Sequence, residues 1–191
     1  MGDWVITTAI KQYNVWYNYT DKINDITLSI NISPSQLNDN TIIETVTQVL
    51  KETQIPTQNI IFELTETAVM KKALDNNSVL QIFLMELGIR LSIDDFGTGY
   101  SSLTYLKKLP IKELKIDKSF IDDIGIHKNS EVIIKAILNL GLTLEVDVVA
   151  EGVENKRQID FLKENHCKIV QGYYFSRPLT AQQMLGFLNK D

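Results

Sequence analysis

Two kinds of apolar stretch alternate along the chain. Short runs rich in Ile, Val and Leu stand at 27–32, 59–64, 89–94, 112–117, 146–151 and 168–174, each bounded by turn residues. They read as strands. Some are nearly continuous, as in Val148-Val149-Ala150, which suits a strand covered on both faces. Between them, apolar residues recur at helical spacing. Ile42, Ile43, Val46, Val49 and Leu50 form one stripe, and Thr41 with Glu44 predicts a capping box. Val79, Leu80, Phe83, Leu84 and Leu87 form another, ended by Gly88. Ser130 is expected to cap the run 132–140, and Thr180 with Gln183 to box the last helix. A further apolar stripe at 4–17 (Trp4, Val5, Ile10, Tyr13, Trp16) predicts a helix that covers the edge of the first strand.

Strand and helix in alternation, six times over, predict an α/β fold with parallel strands. Each strand run ends in a polar residue where a buried strand would stay apolar: Asn31, Glu63, Asp94, Lys115, Glu151 and Gln171. They recur about every 28 residues, near the roughly 30 of a strand-helix-strand unit. Polar groups at the carboxyl ends of successive parallel strands are where a β/α barrel carries its chemistry. The alternative is an open doubly wound sheet, which usually holds phosphate on a G-x-G-x-x-G loop. No such motif occurs, so the expected fold is a TIM-like (β/α)8 barrel with about six of its eight units in 191 residues.

Composition narrows the function. The net charge is −5, which leaves no basic excess for coating DNA. One cysteine, Cys167, excludes an intrachain disulfide, and His127 and His166 add too little for a usual zinc site. Cys167 is expected in the core and both histidines on the surface. No run is long and apolar enough to span a bilayer, and the first residues lack a signal-peptide n-region, so a soluble cytoplasmic protein without membrane contact is expected.

The candidate chemistry sits at the strand ends. Asp94 and Asp95 are adjacent carboxylates closing an apolar strand. They are either turn residues or ligands of a divalent cation, which would offset the cost of burying them. Asn31 and Glu63 would add oxygen ligands, a donor set suited to Mg²⁺ or Mn²⁺. Two such ions commonly serve phosphodiester hydrolysis. Lys115 is either inward-facing with a carboxylate partner or a solvated outward residue. Glu151 is either a helix-start residue or an acid that ligates metal or moves a proton.

The ordered set Asn31-Ile32-Ser33, Glu63-Leu64-Thr65-Glu66, Asp94 through Leu103 (DDFGTGYSSL), Lys115-Ile116-Asp117, Ala150-Glu151-Gly152-Val153-Glu154 and Gln171-Gly172-Tyr173 resembles the EAL-domain family of bacterial signalling enzymes, which hydrolyse cyclic di-GMP to linear pGpG. The resemblance runs from about Trp4 to Leu188. It implies a modified β/α barrel with one antiparallel strand. It also implies that Asn31, Glu63 and Asp94 ligate a first Mg²⁺ or Mn²⁺ and that Asp94, with Asp95 beside it, bridges to a second. Lys115 would hold and polarise the attacking water, and Glu151 would coordinate the second metal or act as a base for that water. Glu66 would anchor the loop that includes Thr98, Gln171 would support the site, and Glu154 would contact a guanine. A homodimer is expected, through residues 94–103 by the same likeness and through the exposed barrel edge at 27–32 because an unpaired strand edge invites pairing with another chain. The Glu-Ala-Leu motif that names the family is absent. The sequence is therefore expected to be a single barrel domain, 1–191, lacking its first two strands and one metal ligand. Impaired hydrolysis is one expectation, and a non-catalytic module that binds cyclic di-GMP or regulates a partner is the alternative.

Overall fold

A computed structural model describes residues 2–19, 26–72, 79–99, 106–107 and 109–188. In chain order its elements are α1 (Gly2–Tyr17), β1 (Leu28–Asn31), α2 (Thr41–Thr53), β2 (Ile60–Thr65), α3 (Glu66–Lys72), α4 (Val79–Gln81), β3 (Arg90–Phe96), β4 (Ile111–Ile116), α5 (Lys118–Asp122), α6 (Lys128–Leu144), β5 (Asp147–Ala150), α7 (Lys156–Glu164), β6 (Ile169–Val170) and α8 (Ala181–Leu188). A π-helical stretch, Ile82–Glu86, continues α4. Strand order follows chain order from β1 to β6. A doubly wound sheet reverses direction at a switch point, and a sequential order without reversal is that of a β/α barrel. Among the described residues, no helix is long and apolar enough to cross a membrane.

The chain forms two compact units, Met1–Leu64 with Leu74–Leu91 and Pro178–Asp191, and Thr65–Ala73 with Ser92–Arg177. In the first, β1 pairs parallel with β2, Leu28 opposite Ile60 and Asn31 opposite Glu63. Ile60 to Leu64 are all buried, as a parallel strand covered on both faces requires. Helix α1 buries Ile6, Ile10 and Tyr13 and packs on α2 and β1. The Tyr13 hydroxyl donates to the carbonyl of Ile26 at 2.6 Å, which fixes the chain just before β1. The predicted covering of β1 is therefore present. Gly88, at φ +67°, closes the α4 segment as expected.

The second unit holds β4, β5 and β6 in parallel, with Glu113 opposite Asp147, Ile116 opposite Ala150, and Val149 opposite Ile169. Ile134, Ile137 and Leu138 form the buried stripe of α6.

Three local expectations need correction. Thr41 and Glu44 form no capping box: Asn40 precedes α2, and Asp39 Oδ1 accepts from the Thr41 amide and hydroxyl at 3.0 and 2.8 Å. The Asp39 carboxylate thus takes the amide that the Glu44 side chain would bond in a box, and the hydroxyl as well. Ser130 lies inside α6, whose cap position is His127, and its buried hydroxyl donates to Asp123 Oδ2 at 2.6 Å. The last strand spans only Ile169–Val170, because the chain turns at Gly172 onto the Val153 backbone. A Cβ at Gly172 would stand 2.1 Å from the Val153 carbonyl oxygen. The box of Thr180 and Gln183 is present in both directions, at 2.9 and 3.3 Å.

Candidate active site

In β3, Leu91 and Ile93 are buried and Asp94 and Asp95 follow as the strand ends. Asp95 has φ +53°, and its amide donates to Asp94 Oδ1 at 3.0 Å. Its carbonyl accepts from the Thr98 hydroxyl at 2.8 Å, which ties down the exposed Thr98. These are turn bonds, yet the doublet does more than turn the chain. Burial, then the neighbouring Asp94 and Asp117, push the Asp95 carboxyl above its ordinary range.

The β4–β5 register explains what stands beside it. Lys115 lies opposite Val149, so Glu151, two residues further along β5, points to the same side. The Lys115 side chain is only 5% exposed, and its Nζ stands 2.6 Å from Glu151 Oε1 and 3.7 Å from Asp94 Oδ1. The inward-facing alternative for Lys115 is the one realised. Two residues on, Asp117 also points this way. It stands close enough to Asp95 to help push that carboxyl upward, and its Oδ1 caps α5 by accepting from the Ser119 amide at 3.0 Å. Sequence reasoning assigned Asp117 no role, although the period-two alternation from Lys115 placed it on the same face.

Glu66 opens α3 and is 2% exposed. Its Oε2 accepts from the amides of Gly97 and Gly99 at 3.1 and 3.4 Å, so it anchors the start of the loop after β3. Residues 100–103 of that loop lie outside the described residues. Its Oε1 is buried without a hydrogen-bond partner among the described residues. Past β5, Glu151, Glu154 and Gln171 line a cavity of about 240 Å³ together with Lys118, Gly152 and Tyr173. Gln171 is exposed, while its amide donates to Ala150 O at 2.8 Å and its carbonyl accepts from Val153 N at 2.9 Å.

In the first unit, Asn31 and Glu63 face each other in the β1–β2 register, Asn31 exposed and Glu63 buried. The structure thus groups the predicted residues into two sets: Asn31 with Glu63, and Asp94, Asp95, Lys115 and Glu151 with the added Asp117. His127 and His166 are exposed and Cys167 is buried, as expected. Burial pushes the Cys167 thiol up from its ordinary value. A larger cavity of about 320 Å³ borders Asp147, Cys167 and Lys168, at the opposite end of the strands from these acids.

The donor set suits a hard divalent cation. Asp94, Asp95, Asp117 and Glu151 offer only carboxylate oxygens. Burial, followed by the neighbouring Asp94 and Asp117, pushes Asp95 upward, and Lys115 opposes this only in part. Among the described residues, no three His, Cys, Asp or Glu side chains are already arranged to hold an ion by themselves.

Strands in sequential parallel order with a buried lysine–carboxylate cluster at their carboxyl ends define a β/α protein with a charged strand-end site. The family model described as the EAL domain matches residues 1–178, and the chain belongs to that family. It is 46% identical over 188 residues to the signaling protein YkoW of Bacillus subtilis (strain 168), covering 98% of this chain and 23% of that protein. It is 39% identical over 188 residues to the cyclic di-GMP phosphodiesterase NbdA of Pseudomonas aeruginosa, covering 98% of this chain and 24% of that protein. Among solved structures, the PaMucR phosphodiesterase in complex with c-di-GMP superposes with a TM-score of 0.86 at 36% identity, covering 96% of this chain and 73% of that one. The chain spans about a quarter of the length of the curated relatives it matches.

Proposed function

We propose that this chain carries the catalytic site of a metal-dependent cyclic di-GMP phosphodiesterase that yields linear pGpG. The observation that carries the reading is the buried Lys115 ammonium between Asp94 and Glu151, at 3.7 and 2.6 Å, in a family whose relatives are named cyclic di-GMP phosphodiesterases. Asn31, Glu63 and Asp94 would hold one Mg²⁺ or Mn²⁺, and Asp94, Asp95 and Asp117 a second. Bound there, the ions would polarise the phosphoryl oxygens and acidify a water.

The chain's own groups do the rest. Lys115 donates to the attacking water and keeps it near Asp94. Glu151 takes the water's proton. The water oxygen bonds to phosphorus, the bond from phosphorus to the 3′ oxygen breaks, and that oxygen takes a proton from solvent while Glu151 returns its own to solvent, leaving a 3′-hydroxyl and a 5′-phosphate. Glu66 holds the loop at Gly97 and Gly99, with Thr98 pinned to Asp95. Gln171 and Glu154 line the adjacent cavity where a base would rest. Residues 1–191 act as one domain in the cytoplasm, dimerising through residues 94–103, since α1 packs on β1 and leaves its edge less open to pairing than expected.

No Glu-Ala-Leu is present in these 191 residues, so the carboxylate it supplies in the family is missing and turnover by this chain alone should be slow. That absence also favours the second reading, a cyclic di-GMP-binding module without hydrolysis. Chromatography of cyclic di-GMP incubated with the chain and Mg²⁺ or Mn²⁺ separates them. Slow pGpG release, abolished by Lys115→Met, supports the enzyme. Calorimetric binding without product supports the module, and neither binding nor product refutes both.

A further inference from the structure

Beneath the charged cluster lies a second polar layer. On β3, Leu91 and Ile93 are wholly buried and share one face of the strand. Ser92 and Asp94 alternate with them and share the other, one pleat apart. On β4, Leu114 and Ile116 are the wholly buried apolar pair, and Glu113 shares the face of Lys115. The two strands are neighbours in the sheet, and Lys115 Nζ stands 3.7 Å from Asp94 Oδ1 across them. One pleat earlier on each strand, Ser92 and Glu113 are therefore neighbours below that pair.

Neither residue suits the inside of a barrel, which is filled mainly by Val, Ile and Leu. Ser92 is wholly buried, Glu113 nearly so. The Ser92 hydroxyl has no hydrogen-bond partner among the described residues. A buried hydroxyl left in that state lowers stability, a cost that valine at the same position would not carry. Serine also leaves room that a branched side chain would fill, and a buried water takes up about 30 Å³. Such a water makes about three hydrogen bonds to buried polar groups. The Lys115 ammonium, the Ser92 hydroxyl and the Glu113 carboxylate offer a donor and two acceptors around one such place. Glu151 and Asp94 flank the ammonium within the cluster, at 2.6 and 3.7 Å. A water on Ser92 would hold it from below and leave its flexible four-carbon stem a single position.

Resting on the phosphodiesterase reading, we infer that Ser92 is a positioning residue for Lys115. Its hydroxyl accepts a hydrogen bond from a buried water, which accepts one from the Lys115 ammonium and donates its second hydrogen to Glu113. Ser92 touches neither the substrate nor the reacting atoms. It acts only through where it keeps Lys115 Nζ.

Ser92→Thr and Ser92→Val test this as a pair, because their side chains share a shape and differ in the hydroxyl. Crystal structures should show the water between Oγ and Lys115 Nζ in the native chain and in Ser92→Thr. In Ser92→Val the water should be gone and Nζ should have moved off Asp94. With cyclic di-GMP and Mn²⁺, Ser92→Val should lower kcat about tenfold and leave KM unchanged, less than the roughly hundredfold that a full 1 Å misplacement can cost. Ser92→Thr should keep kcat within about twofold of native. Ser92→Val should melt no lower than Ser92→Thr, since it buries no hydroxyl, so its lost turnover is not lost folding. No water on Ser92 in the native chain, or equal kcat in the two variants, overturns the inference and leaves the phosphodiesterase reading standing. A native chain that makes no pGpG, yet holds the water and loses the position of Nζ in Ser92→Val, overturns that reading and upholds the placement of Lys115 by Ser92.

Discussion

Two lysine–carboxylate pairs join the same two strands, β4 and β5, at opposite ends. Lys112 and Asp147 pair at the amino ends with side chains 39% and 40% exposed. Lys115 and Glu151 pair at the carboxyl ends, 5% and 18% exposed. The chemistry is identical and the surroundings are not. Water screens the first pair, which then contributes little. The second has lost most of its water, at a desolvation cost that the mutual attraction only partly offsets. Packing alone would place apolar residues there. A chain that keeps the charges where they are expensive, and adds Asp94, Asp95 and Asp117 around them, is organised for chemistry at that end and for folding at the other.

The largest test removes one lysine at a time. Lys115→Ala leaves Glu151 and Asp94 short of a cation and should lower the unfolding free energy by about 3 kcal/mol. Lys112→Ala should cost about 0.5 kcal/mol or less. Urea unfolding monitored by circular dichroism measures both, and equal losses would break the comparison. Glycine substitutions ask next which end yields. Gly172→Ala drives a methyl into the Val153 backbone, and about 2–3 kcal/mol should be lost. Gly141→Ala meets mainly Val148 Cγ2, at 2.2 Å, a side chain that can rotate. Its cost should be about 1 kcal/mol, reduced by the better helix propensity of alanine. Divalent metal gives a smaller effect. Mg²⁺ at a few times its dissociation constant should stabilise the chain by about 1 kcal/mol, a rise of about 2–4 °C in Tm. Asp94→Asn should abolish that rise and Lys112→Gln should not.

Much of this contrast was legible in the sequence and some was not, for physical reasons. The strand ends were readable because Asn31, Glu63, Asp94, Lys115 and Glu151 interrupt apolar runs, and β-strands keep a fixed period. The inward aim of Lys115 was not. A lone lysine in a strand is compatible with either face, and only the register against Val149 and Glu151 decides. Asp117 was missed because it doubles as the cap of α5, a role that hides the other. The Asn155–Gln158 capping box of α7 was overlooked although its spacing is diagnostic. The caps at Thr41 and Ser130 failed for the converse reason. Asp39 and Asp123 compete for the same partners, and propensity does not rank nearby acceptors. The shortness of β6 depends on Gly172 meeting Val153, a contact 19 residues apart in the chain.

The smallest effect concerns the amino-terminal end, where Cys167 precedes β6 with its thiol directed at the carbonyls of Val148 and Ile169, at 3.9 and 3.3 Å. Burial, the largest influence on it, raises its pKa, and hydrogen bonds from the Ile169 and Ala150 backbone only partly oppose this. The folded thiol therefore holds its proton to higher pH than the unfolded one. Its contribution to stability is complete below the ordinary thiol range and is lost as the pH rises from there through the folded value. Unfolding free energy should accordingly decline through that alkaline range, and in Cys167→Ala this part of the decline should vanish. A variant as alkali-sensitive as the native chain would show that the decline has another source.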